Sequence, residues 1–549
     1  MNTQSIKGAD ALFAALRVNG VDTVFGLPGG QLNDFFDAMQ RAGDSVRYVG
    51  SRHEQGAAYM AFGYAKSTGK VGVYTVVPGP GVLNTTAAMC SAYANSSPVL
   101  CVTGQIPSHA IGRGVGELHE LPDQLATLRS LTKWAERINH PTEVASVVNT
   151  AFKQMTVGRP RPVAIEMPPD IMAMETRVDA ATAFASNDAQ NFDADLVTAA
   201  ADAIDASKRP LIVVGGGAQH ASDEIRRLAE LIQAPVVSFR NGRGVVSDQQ
   251  PLGCNFAAGY EFWKTCDLVI GIGSRMQPYL QEWGVDEEMT IVRIDWDPTE
   301  INRIVNADIG ICGDAKTVVS HLVDSCERRI GKREDRTETA IAEKAKSAAA
   351  FAKDVPEQSA YLDAIRAELP EDGILVDEIT QVGFASWIGF PVYSPRSLIT
   401  CGYQGTLGYG YATALGVKVA HPDRPVVAIA GDGGFMFQVQ ELATAAQYRI
   451  NMPVIVFNNG KFGNVRRHQK EWYDGRYIGS ELHNPRFADM AETFGVAGYK
   501  AGSPEELRSA LRRALKEDGP SLIEVEVGDM SSPWKYILRE RARGVTRRK

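Results

Sequence analysis

The 549-residue chain has no apolar run approaching the ~18 residues of a membrane-spanning helix, so a membrane partner is not expected. It also lacks basic excess: the formal net charge is -8, and nothing in that balance calls for nucleic acid. Cysteine is scarce and unpatterned. The seven, Cys90, Cys101, Cys254, Cys266, Cys312, Cys326 and Cys401, are odd in number and show no CxxC spacing, which argues against a disulfide frame and against a zinc site. No short-period repeat is visible. The opening stretch MNTQSIKGADALFAALRVNG places Lys7 and Asp10 ahead of any apolar run, so it reads as an amphipathic helix and not as a secretory leader. The expectation is a soluble, cytoplasmic, globular protein of ordinary composition, 44% hydrophobic and 22% charged.

Short β-branched runs alternate with helical patterns along the whole chain. VDTVFGL, VGVYTVV, PVLCVTG and PVAIEM lie in the first third, PLIVVGGG, APVVSF, DLVIGIG and TIVRIDWD in the middle, and GILVDE, SLITCG, PVVAIAGDG, MPVIVFNN and SLIEVEV in the last. Continuous apolar strands are buried on both faces, the mark of parallel sheets covered by helices. Three doubly wound α/β domains are therefore expected, at 1–175, 190–330 and 357–530. Residues 171–194 lack strand character and read as a linker, 331–356 as a solvated linking helix, and 531–549 as a basic tail, either flexible or a lid over an anionic cofactor.

The stretch GDGGFMFQVQELATAAQYRINMPVIVFNNG, residues 431–460, carries the chemistry. A buried strand ends at Gly431, Asp432 and Gly433 turn the chain, and the residues from Gly434 read as one continuous helix with Phe435, Val439 and Leu442 one turn apart. A second buried strand ends at Asn458 and Asn459. In a right-handed βαβ unit both strands point the same way, which brings Asp432 and Asn459 to one sheet edge, where α/β folds bind ligands. Glycines let backbone approach a phosphate, and an acid beside phosphate needs a cation between them. A carboxylate and an amide oxygen suit Mg²⁺.

This combination resembles the thiamin diphosphate enzymes, and nearly the full length is similar to the acetolactate synthase large subunit and related carboligases. The resemblance implies Mg²⁺ held by Asp432, Asn459 and the Lys461 carbonyl, with Gly431, Gly433, Gly434, Phe462 and Gly463 around the diphosphate. SRHEQGAAYMAFGYAKSTGK resembles the segment supplying the acid that activates the cofactor's aminopyrimidine, here Glu54. In GYQGTLGYGYATALG the resemblance makes Leu407 the apolar wedge under the cofactor and Gly405 the acceptor for its amine. FGLPGG, PGPGVLN and the TGQ segment resemble further family motifs, and that resemblance implies Gly29, Gly30, Pro78 and Asn84 in the same site and a catalytic Gln105, with Gly29, Gly30 and Gln105 lining the space above the thiazolium. The family sets the acid and the wedge across a subunit interface, so a homodimer or homotetramer is implied. The implied reaction is decarboxylation of a 2-oxo acid, pyruvate or similar, and addition of the product to a second carbonyl. A simple decarboxylase, a 2-hydroxyketone lyase similar to benzaldehyde lyase, and a non-catalytic nucleotide-binding subunit are the alternatives.

The departures from the synthases are informative. GNVRRH replaces GMVxQW, putting Asn464, Arg467 and His468 where an acceptor-selecting Trp is expected, and IGRGVGELHELPDQ brings in His119 as a candidate acid/base. In the middle domain VVGGGA, GIGSRM and IDWDP resemble flavin-site turns, and Arg275 fits the arginine near flavin and acceptor. GMHG and DDR are missing, leaving FAD open.

Overall fold

The computed structural model describes residues 3–185 and 192–544. The N-terminal unit contains β1 (Thr3–Lys7), β2 (Thr23–Gly26), β3 (Arg47–Gly50), β4 (Gly72–Val76), β5 (Val99–Gly104), β6 (Trp134–Arg137), β7 (Val163–Met167) and β8 (Glu175–Asp179). Six of these form a parallel sheet in the order β3-β2-β4-β5-β7-β6. The middle unit is a parallel sheet of β9 (Pro210–Val214), β10 (Val236–Ser238), β11 (Gly253–Asn255), β12 (Leu268–Ile272), β13 (Thr290–Asp295) and β14 (Ile309–Cys312), in the order β11-β10-β9-β12-β13-β14. The C-terminal unit repeats the pattern with β15 (Ile374–Val376), β16 (Leu398–Ile399), β17 (Val426–Gly431), β18 (Pro453–Asn458), β19 (Ala497–Ala501) and β20 (Ser521–Glu526), ordered β16-β15-β17-β18-β20-β19.

Every strand expected from an apolar run is present, because each is covered on both faces: β4, β5, β7, β9, β12 and β17 are buried along their entire length. Two expectations need correction. The segment 171–194 holds β8, paired antiparallel with β1, so Thr176 faces Ile6 and Val178 is buried against the N-terminal core; residues 186–191 lie outside the described set. The helix after Gly433 is not continuous. It stops at Phe435 and restarts at Glu441–Gln447, because 436–440 form a turn that carries Phe437 over Gly408.

The three domains share cores. One buried cluster joins middle-domain strands to the C-terminal sheet, with Phe351 of the Thr337–Asp354 linking helix in it. Another joins the Glu54–Thr68 helix to the Gly410–Ala420 helix, where a Cβ on Gly63 or Gly416 would strike the facing backbone. The tail is docked as far as Gly544. The Arg543 guanidinium donates to the Trp263 carbonyl at 2.8 Å and pairs with Asp286 at 2.9 Å, so this part lies on the middle domain; residues 545–549 lie outside the described set.

Each sheet has a central reversal of chain order: between β2 and β4, between β9 and β12, and between β15 and β17; the N- and C-terminal sheets reverse again at the far edge, at β6–β7 and β19–β20. Such a switch point opens a crevice at the carboxyl ends of the strands. Gly29 and Gly30 follow β2 and Pro78 follows β4; Gly215 follows β9 and Gly273 follows β12; Glu378 follows β15 and Asp432 follows β17.

Candidate active site

Asp432 caps β17 almost out of solvent, at 3% exposure. Its Oδ2 accepts the Gly460 N–H at 2.8 Å and the Asn484 amide at 2.7 Å. Burial nevertheless raises its pKa, the signature of a carboxylate short of positive charge. Asn459 follows β18, and its Oδ1 accepts the Lys461 N–H at 3.2 Å. The Lys461 carbonyl accepts no hydrogen bond among the described residues, while the Lys461 ammonium pairs with Asp529 at 2.9 Å. Gly433 has no room for a side chain because Phe462 lies against it, and a Cβ on Gly463 would sit 3.3 Å from the Asn459 amide nitrogen. A buried carboxylate, an amide oxygen and a free carbonyl make a hard-oxygen set suited to Mg²⁺. Among the described residues no trio of His, Cys, Asp or Glu could hold a metal, so these donors fit a cation only if a bound anion completes the shell.

The loop bearing Leu407 rises beside this turn. Gly405 and Gly408 flank it with φ of 59° and 80°, conformations that glycine adopts freely. A Cβ built on Gly434 would lie 3.3 Å from Leu407 Cδ1 and 3.2 Å from the Glu378 carboxyl carbon. Leu407 and the Asp432 turn are therefore brought together.

The N-terminal residues form a second group. Glu54 begins the Glu54–Thr68 helix and accepts a hydrogen bond from the Asn84 amide at 2.9 Å. The turn just before it is fastened to the C-terminal domain, since the buried Glu441 carboxylate accepts the N–H of Arg52 and of His53, each at 3.1 Å. Gly29 packs on Val77 next to Pro78, and Gly30 faces open space. The His119 backbone lies on Gly79 at φ 70°, a strained conformation for histidine, and its buried Nδ1 has no partner among the described residues. Gln105 is turned inward. Its amide donates to Glu166 at 3.2 Å and its oxygen accepts the Ile106 N–H at 2.7 Å, within a buried network that includes Gln124 and Arg137. Among the described residues no hydrogen bond joins Glu54, Asn84 or His119 to Leu407, Asp432 or Asn459.

The Gly463–Trp472 helix carries Asn464, Arg467 and His468 and buries none of its residues. The Asn464 oxygen accepts from Arg467 at 3.3 Å and from the Trp534 indole at 2.9 Å; His468 stacks on Trp472 at 4.1 Å, and desolvation followed by Arg467 lowers its pKa. Trp534 also lines a cavity of about 600 Å³ between the three domains. The glycine turns after β9 and β12 form one wall, and Lys66, Arg396, Arg240 and Arg275 face in, Arg275 lying 3.9 Å over the Tyr403 ring. Asp295 lines the same space, and its pKa is raised by burial. Lys66 is half-buried on the wall of this cavity without a carboxylate partner among the described residues, and desolvation, followed by the Arg396 charge, pushes its pKa down to about 7. Such a cation-rich chamber beside glycine turns fits the phosphates of a nucleotide.

Sequence reading missed Glu378, Glu441, Asn484, Lys66 and Trp534. Only the pair Asp377–Glu378, charged residues ending a buried parallel strand, carried a signal.

Three switch-point crevices, one with a hard-oxygen cation set and one with a nucleotide-sized chamber, define a three-domain cofactor-dependent α/β enzyme. Comparison with known families identifies which. Residues 6–127 match the N-terminal TPP binding domain of thiamine pyrophosphate enzymes, 197–322 their central domain and 378–525 their C-terminal TPP binding domain. The chain is 33% identical to a probable acetolactate synthase large subunit of Methanocaldococcus jannaschii, over 95% of this chain and 92% of that one. It is 31% identical to a probable 2-ketoarginine decarboxylase of Pseudomonas aeruginosa, over 95% and 94%, and 31% identical to the acetolactate synthase large subunit of Lactococcus lactis, over 94% and 92%. The chain belongs to the thiamine pyrophosphate enzyme family: it is a thiamin diphosphate-dependent enzyme that forms or breaks carbon–carbon bonds.

Proposed function

We propose that the protein is a 2-oxo acid decarboxylating carboligase of the acetolactate synthase kind, working with Mg²⁺ and as a homodimer or homotetramer. The observation that carries the reading is the Asp432–Asn459–Lys461 oxygen set beside Leu407, at the switch point of the C-terminal sheet. Bound there, thiamin diphosphate supplies a carbon nucleophile and an electron sink for the charge left by loss of CO₂. The protein's own residues do the rest. Asp432, Asn459 and the Lys461 carbonyl would hold the cation that neutralises the diphosphate, and Leu407 would pack against the cofactor's rings. Glu54 keeps a proton at the aminopyrimidine nitrogen, with Asn84 orienting its carboxyl. His119, whose Nδ1 has no partner among the described residues, would move a proton at the reacting oxygen, and Asn464, Arg467 and His468 would meet the acceptor.

On this reading the two groups of residues meet across a subunit interface. Leu118, next to His119, is 70% exposed, and Phe437, after the Asp432 turn, is 49% exposed. Apolar side chains beside both half-sites favour covering by a second copy, which would bring its Glu54 to this chain's Asp432. The interdomain chamber would suit FAD or a related nucleotide, and Lys66 and Arg396, which line it, would supply positive charge for its phosphates.

The likeness to a decarboxylase, together with GNVRRH in place of the synthases' acceptor segment, favours simple decarboxylation as the second reading. Supplying purified enzyme with thiamin diphosphate, Mg²⁺ and pyruvate, then a panel of 2-oxo acids, separates the two. A carboligase gives a 2-hydroxy-3-oxo acid such as acetolactate together with CO₂, and a decarboxylase gives only aldehyde and CO₂. Turnover of no 2-oxo acid would overturn both.

A further inference from the structure

We infer that Glu378 is the positioning residue that fixes Leu407 in the cofactor site. The inference rests on the proposed role of Leu407 and assigns its control to a carboxyl group from a different strand. Glu378 follows β15 and is 1% exposed. Its Oε1 accepts the Gly408 N–H at 2.9 Å and its Oε2 the Gly410 N–H at 2.9 Å, with the Ile379 N–H at 3.3 Å. The residue between them is held as well: the Tyr409 hydroxyl and the Trp387 indole both donate to the neighbouring Asp377 carboxylate. Three consecutive residues after Leu407 are thus tied to two consecutive acids at the end of β15. On the other side of Leu407, Thr406 is bonded to Ser91 of the N-terminal domain at 3.0 Å.

A carboxyl group is an expensive choice for this place. Glu378 has no ion pair among the described residues, and burial pushes its pKa up to about 7, so an apolar residue would fill the space at lower cost. What an apolar residue lacks is two oxygens that can each receive a backbone N–H. The loop needs them because Gly405 and Gly408 leave it free to swing. The carboxyl, Leu407 Cδ1 and the Asp432 turn all converge on Gly434, where a Cβ would touch both side chains within 3.3 Å. A shift of the Glu378 tether therefore shifts Leu407 relative to the cation turn. Asp432, Asn459 and Lys461 are held by other contacts, so the diphosphate end stays in place.

Glu378→Gln tests this, since the amide offers one acceptor and turns N–H against a donor at the other position. Hydrogen exchange of the peptide spanning 405–410, followed by mass spectrometry on cofactor-free enzyme, is expected to speed up roughly tenfold while the rest of the C-terminal domain is unchanged. With cofactor, kcat is expected to fall roughly tenfold to hundredfold. Thiamin diphosphate–Mg²⁺ affinity should move less than about threefold, and Glu378→Asp should recover part of kcat. Unchanged exchange and kcat would overturn the inference, and so would a matching loss of affinity and thermal stability, which marks a general fold contact. Leu407→Ala separates the two levels. If it leaves kcat intact, the role given to Leu407 fails; if it slows turnover while Glu378→Gln does not, only the Glu378 inference fails.

Discussion

The buried carboxylate of Glu441 accepts the backbone N–H of His53 at 3.1 Å, fastening the turn that presents Glu54 to the C-terminal domain. The Arg52 N–H and the Thr444 hydroxyl, at 2.6 Å, complete its shell, and Gly56 is glycine because a Cβ there would meet the same carboxyl group. Glu441→Ala leaves the part-buried N–H groups of Arg52 and His53 without their acceptor. A loss of about 2 to 4 kcal/mol is expected, seen in denaturant unfolding, together with a fall in kcat from the displaced helix start. Wild-type stability with normal turnover would show that the tether is idle.

Glu54→Gln keeps the shape and the Asn84 contact and removes the acid. Turnover is expected to drop roughly a hundredfold to ten-thousandfold while cofactor affinity, measured by fluorescence titration, is retained. Mixing this variant with Asp432→Ala examines the split site: in an interface-sharing dimer, mixed pairs should regain part of the activity that each variant lacks. No recovery after subunit exchange would place both halves of the site in one chain.

How much was legible beforehand follows from burial. Strands such as β5 and β17 are covered on both faces, so their sequence is an unbroken apolar run; β8 is an edge ribbon with mostly polar side chains, and nothing in ETRVD separates it from a linker. Asp432 and Asn459 could be paired because each ends a strand in one βαβ unit. Glu378 and Gly408 belong to different strand ends, and only the reversal between β15 and β17 brings them together. Lys66 has the pattern of an exposed helix residue and is half-buried only because residues of two other domains wall the cavity that it lines.

That burial gives a pH prediction. With a folded pKa of about 7 against the ordinary lysine value of 10.5, Lys66 is charged in both states at low pH, and the native state bears the full cost of desolvating the cation. Between about 7 and about 10.5 the unfolded chain holds the proton and the native chain does not, so stability rises with pH across that window. Lys66→Met should therefore raise the thermal midpoint more at about pH 6 than at about pH 10. A nucleotide placing its phosphates beside Lys66 should take up a proton when it binds near pH 8, read as a buffer-dependent binding enthalpy in calorimetry with ADP or FAD. Binding with no proton uptake would remove Lys66 from the phosphate site.

The central claim is that Asp432, with Asn459 and the Lys461 carbonyl, holds the magnesium that anchors the diphosphate. Calorimetric titration of thiamin diphosphate into metal-free protein, with and without Mg²⁺, tests it most directly. Wild-type protein should bind strongly only with Mg²⁺, and Asp432→Ala should lose the Mg²⁺-dependent gain, at least about a hundredfold in affinity. Equal affinity with and without the metal, or an Asp432→Ala variant that responds to Mg²⁺ as wild type does, would contradict it.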